Sequence, residues 1–107
     1  EDLEKAAEYF VAAGELSRAA EVRHDQNRFL EAAELYVEAG DDGSAATIFA
    51  QENEFQRAAK CYLKVDAKST AAEMFEKAGD FKNAGDCYRD VEFHRHAAQC
   101  YLKCKLW

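Results

Sequence analysis

The chain has 107 residues, of which 49% are apolar and 33% charged, with no proline and a net charge of −7. That balance excludes a disordered chain. No apolar run approaches the roughly 20 residues a membrane-spanning helix needs, and the acidic excess disfavours direct nucleic-acid binding. The charge is unevenly divided: residues 1–54 hold 14 acidic and 4 basic side chains, and residues 55–107 hold 7 and 10.

An alanine pair recurs every thirteen residues, at Ala6-Ala7, Ala19-Ala20, Ala32-Ala33, Ala45-Ala46, Ala58-Ala59, Ala71-Ala72, Ala84-Gly85 and Ala97-Ala98. A strict period marks a repeat array whose units stack on their neighbours. The units open at Leu3, Leu16, Phe29, Asp42, Phe55, Lys68, Phe81 and His94, and Trp107 stands where a ninth would open. Position seven is apolar or Cys throughout, and position eight is aromatic except at Arg23. Positions four, five, seven, eight and eleven fall on one stripe of a helix at about 100° per residue, so each unit is predicted to be one helix of about ten residues.

The first unit ends at Gly14, and Asn27, Gly40, Asn53 and Gly79 hold the same place in later units. These residues tolerate the left-handed conformation that closes a helix. Glu15, Asp41, Glu54 and Asp80 follow them, at places suited to starting the next helix, while Ser17, Ser44 and Ser69 are read as caps rather than nucleophiles. Links this short reverse the chain direction. Unit two departs from the pattern, with Arg23 and His24 in Arg23-His24-Asp25-Gln26-Asn27-Arg28. The expectation for Arg23 is a stem lying over the apolar stripe and a head paired with an acid. In unit seven, Gly85 replaces the second alanine, which is read as a closer helix contact or a mild defect.

Cys87, Cys100 and Cys104, with His94, raise a zinc-site alternative in the last two units. The packing reading is preferred. Cys61, Cys87 and Cys100 occupy the column that Leu, Ile, Val and Met fill elsewhere, and no CxxC pair is present. No disulfide or cofactor is expected, and reduced thiols point to an intracellular location, cytoplasmic or nuclear. The chain has no phosphate-cradling glycine loop, Gly-x-Ser-x-Gly elbow or His-Glu-x-x-His, so it is not read as an enzyme, although a catalytic domain elsewhere in a parent chain is left open.

The stretch Ala71-Ala72-Glu73-Met74-Phe75-Glu76-Lys77-Ala78-Gly79-Asp80-Phe81-Lys82-Asn83-Ala84 resembles tetratricopeptide-type repeats, although the 26-residue pair of units is shorter than their 34-residue period. Similar units occur in solenoids of intraflagellar-transport and vesicle-coat proteins, and in helicase-linked tetratricopeptide-and-ankyrin repeat proteins. The resemblance implies an all-α, antiparallel helical-hairpin solenoid with right-handed stacking, about eight short helices in four hairpins. It also implies a role in protein–protein interaction or scaffolding. The family's basic peptide-carboxylate clamp has no counterpart; Arg23, His24 and Asn83 are the nearest residues.

The whole of 1–107 is read as one array, cut from a longer solenoid, whose uncapped ends favour end-to-end self-association. Partners are expected to be proteins or peptides, with no membrane insertion. The expected binding surface lies on the even-numbered units, at Glu21, Arg23, His24, Thr47, Glu73, Glu76, Arg95 and Gln99. A purely architectural spacer in a larger multidomain protein is the remaining alternative.

Overall fold

A computed structural model describes residues 2–105. Its elements are eight helices: α1 (Asp2–Ala12), α2 (Leu16–Asp25), α3 (Phe29–Glu38), α4 (Asp42–Gln51), α5 (Phe55–Lys64), α6 (Lys68–Lys77), α7 (Phe81–Asp90) and α8 (His94–Lys105). Among the described residues there is no strand. Helices α2 to α8 begin at the first position of the expected unit, so the period and the helix boundaries coincide. Trp107 lies outside the described residues.

All seven links are three residues long and are built alike. The middle residue is left-handed in each: Gly14, Asn27, Gly40, Asn53, Asp66, Gly79 and Glu92, with φ between 61° and 84°. The N–H of the third residue then returns to the carbonyl of position eight, as from Glu15 to Phe10 at 2.8 Å and from Asp80 to Phe75 at 2.9 Å. That bond closes the old helix. The same residue's carbonyl opens the new one by accepting from the first alanine, as Glu15 does from Ala19 at 3.1 Å. One residue thus belongs to both helix ends.

Capping differs from the expectation. Asp41 and Asp80 accept from the backbone N–H of Ser44 and Asn83 at 3.2 and 3.3 Å, whereas Glu15 and Glu54 make no cap bond. Ser17, Ser44 and Ser69 lie inside the first turns, two or three residues past the cap positions Glu15, Asp41 and Ala67.

Each helix packs on the one before and the one after it, giving an all-α hairpin stack 52 Å long and 22 × 16 Å across. The alanine pair divides the work. Ala7 is buried in α1 while Ala6 is only half-buried; Ala97 is buried in α8 while Ala98 is exposed. Position four therefore packs backward and position five forward. Position seven also packs backward: Ile48, Cys61, Met74, Cys87 and Cys100 are buried, but Tyr9, on the first helix, is 67% exposed.

Position eleven does not join the buried stripe. Ala13, Ala39, Glu52, Val65 and Ala78 are exposed there and Gln26, Val91 and Cys104 are half-buried, because in every unit but the last this position falls one residue past the helix end. Of the two readings of Gly85, the geometry favours the closer contact: a Cβ built on it would lie 2.8 Å from the Tyr101 ring.

Candidate functional site

Position eight sits on the floor between the two helices that flank its own. Tyr36 of α3 floors a groove of about 390 Å³ walled by Glu21, His24 and Asp25 of α2 and by Ser44, Thr47, Ile48 and Gln51 of α4. One unit later, Phe49 of α4 floors a groove of about 410 Å³ between Glu34, Val37 and Glu38 of α3 and Arg57, Lys60 and Cys61 of α5. On the same side, Arg23 floors a smaller groove of about 220 Å³ between Val11 and Glu31, Glu34, Leu35 and Glu38. One rule covers all three: positions drawn from six, nine and ten form the first wall, and positions drawn from three, six, seven and ten form the second.

The α2/α4 groove brings together three residues expected from sequence, Glu21, His24 and Thr47. His24 also packs edge-on against Phe29, with ring centroids 4.9 Å apart. Asp25, Tyr36, Ser44, Ile48 and Gln51 were not expected there. The signal that finds them is the use of positions three, seven, eight and ten as lining, visible only once helices two units apart are seen to share a groove. Burial, followed by the charges of Glu21, Asp41 and Asp25, pushes the Tyr36 hydroxyl pKa up.

Arg23 is not on that surface. It lies on the opposite side, under α1 and α3, where its guanidinium donates to Glu4 and Gln26, each at 2.9 Å. Its side chain is 14% exposed, as expected for a stem laid over the stripe with its head paired to an acid.

The remaining expected residues are dispersed. Glu73, Arg95 and Gln99 are exposed on α6 and α8. Glu76 is half-buried and accepts from the Tyr88 hydroxyl at 2.6 Å and from the Cys100 thiol at 3.7 Å. Its carboxylate is engaged within the stack, so reversing its charge would perturb packing as well as surface. Burial, then the hydrogen bond from Glu76, raises the Tyr88 pKa.

The alternative zinc ligands do not converge. Cys87 and Cys100 are buried, Cys104 is half-buried with its thiol 3.4 Å from the Tyr101 carbonyl, and His94 is exposed. Among the described residues, no three His, Cys, Asp or Glu side chains form a group able to hold a metal ion. The basic clamp's nearest candidates are also apart, since Arg23, His24 and Asn83 sit on different grooves or helices. No helix among the described residues is long and apolar enough to cross a membrane.

No family model, characterised protein or solved structure matches the chain.

Proposed function

We propose that the chain is a non-catalytic protein–protein interaction or scaffolding module, similar in action to a tetratricopeptide array. The observation that carries this reading is the series of grooves walled by helices two units apart and floored by position eight. Such grooves hold side chains of an extended partner, and the rigid stack that presents them lowers the ordering cost of binding. Four free thiols, three of them in the packing column, fit a reducing intracellular compartment.

The test is capture with the immobilised chain. Wild type is compared with Thr47→Arg, which fills the α2/α4 groove, and with Glu38→Arg in the α3/α5 groove, each checked for unchanged helicity and melting temperature. Proteins retained by wild type and lost from a groove variant support the reading. An identical set on all three chains overturns the grooves as the binding surface, and a wild-type chain that retains nothing above bare resin overturns the reading in favour of an architectural spacer.

A further inference from the structure

The α3/α5 groove contains its own basic occupant. Arg57, at position three of α5, lies 4.5 Å from the Phe49 ring centroid and donates to Glu34 at 2.8 Å. A guanidinium thus stacks on the position-eight aromatic of the preceding helix and pairs with the position-six acid of the helix before that. The same stack recurs at Arg18, 5.9 Å from the Phe10 centroid, and in looser form at His96, 5.1 Å from the Tyr88 centroid.

Stepping the trio of positions six, eight and three along the chain isolates one exception. Glu34, Phe49 and Arg57 combine acid, aromatic and cation. Glu8, Arg23 and Glu31 carry the cation on the floor between two acids whose charges both act on it. Thr47, Tyr62 and Thr70 carry no charge, and Lys60, Phe75 and Asn83 carry a cation but no acid. Glu73, Tyr88 and His96 supply a histidine over the ring. Glu21, Tyr36 and Ser44 alone combine an acid and an aromatic floor with no basic residue.

In that trio the short Ser44 side chain turns back to Asp41, donating at 2.8 Å. A second carboxylate, Asp25, lines the same groove, and among the described residues neither Glu21 nor Asp25 makes an ion pair. We infer that the α2/α4 groove is a recognition site for an arginine side chain of a partner protein, its guanidinium stacked on Tyr36 and paired with Glu21 and Asp25. The template is the chain's own Arg57 site, displaced by one unit. Arginine fits better than lysine because its flat head can stack on the ring and bond a carboxylate through its edge at once.

This inference rests on the interaction reading and narrows it to one groove and one side chain. The test uses the 107-residue chain and two probes, N-acetylarginine amide and its uncharged isostere N-acetylcitrulline amide, followed by NMR. Arginine is expected to shift the Tyr36, Glu21 and Thr47 signals, to show upfield ring-current shifts of its own side-chain protons, and to bind at least ten times more tightly than citrulline. Equal response to both probes, or shifts spread evenly over the acidic helices, overturns the proposal.

A second measurement offers the guanidinium within the chain. Ser44→Arg is expected to melt about 4 °C above Ser44→Met, with the difference abolished by Glu21→Gln. A difference that is absent, or that persists without Glu21, also overturns it. Thr47-dependent capture of proteins in the face of either failure leaves the interaction reading standing and removes only the arginine site.

Discussion

Arg23 Nη1 lies 2.9 Å from Glu4 Oε1, placing an ion pair at the one position-eight site where every other unit has an aromatic ring. The same Glu4 oxygen accepts from Arg28 at 3.0 Å, so one carboxylate joins α1, α2 and the α2/α3 link. The hydrogen bond from Arg23 holds the Glu4 pKa below its ordinary 4.5, against the opposing effect of desolvation and with help from the charges of Arg23 and Arg28. A carboxylate with a depressed folded-state pKa stabilises the fold above its unfolded value and loses that contribution as pH falls through the folded one. Glu4→Gln should therefore melt below wild type at neutral pH. The gap should narrow as pH falls from about 5 to about 3. Thermal denaturation of both chains across that range checks the expectation.

Gly85→Ala should destabilise the array. Its Cβ would lie 2.8 Å from Tyr101 Cε1, and the ring is tethered through its hydroxyl to Asp86. Overpacking costs about 1–3 kcal/mol, against the roughly 1 kcal/mol that alanine gains over glycine inside a helix. A net loss of about 1 kcal/mol is expected in chemical denaturation. In a Tyr101→Ala background the same substitution should become stabilising, which separates the clash from any other effect.

Glu92 holds a left-handed conformation, with φ at 64°, in the link between α7 and α8. Glu92→Gly should raise stability by up to about 1 kcal/mol, because a side chain is disfavoured there and glycine is not. The converse change, Gly79→Ala at φ 81°, should lower it. Melting curves of the two variants should move in opposite directions.

The thiols should react unequally. Burial, followed by the charge of Glu76, pushes the Cys100 pKa up to about 11, and burial also raises Cys61 and Cys87. Thiolates are the reactive form, so these three should resist iodoacetamide at about pH 8 while half-buried Cys104 is modified first. Peptide mapping by mass spectrometry over a time course reads the order. Early modification of Cys100 would indicate that the α7/α8 contact opens readily.

Much of this architecture is legible in the sequence because the determinants are local. Alanine pairs, position-eight aromatics and Gly or Asn closures all repeat within one helix and its link. Asp66 and Glu92 were not legible as left-handed residues, because the closing hydrogen bond to position eight imposes that conformation against their own preference. The exposure of position eleven was missed because the helical wheel was continued one residue beyond the helix end. Part of the candidate site was legible for a related reason. Glu21, His24 and Thr47 stand out as off-stripe positions, but Tyr36 and Ser44 acquire their role only when α2 and α4 close over α3.

The three-residue link has a consequence for how such a chain can change. Each link spends one residue on both the closing of one helix and the opening of the next, leaving no slack. Inserting or deleting a single residue within a helix would rotate everything beyond it by about 100°, carrying alanines into water and charges into the seam. Only the loss or gain of a whole unit restores the phase. Length variation in this chain is therefore quantised in steps of thirteen; because odd and even helices wall opposite sides of the stack, a single step exchanges the sides of every later groove and a second step restores them.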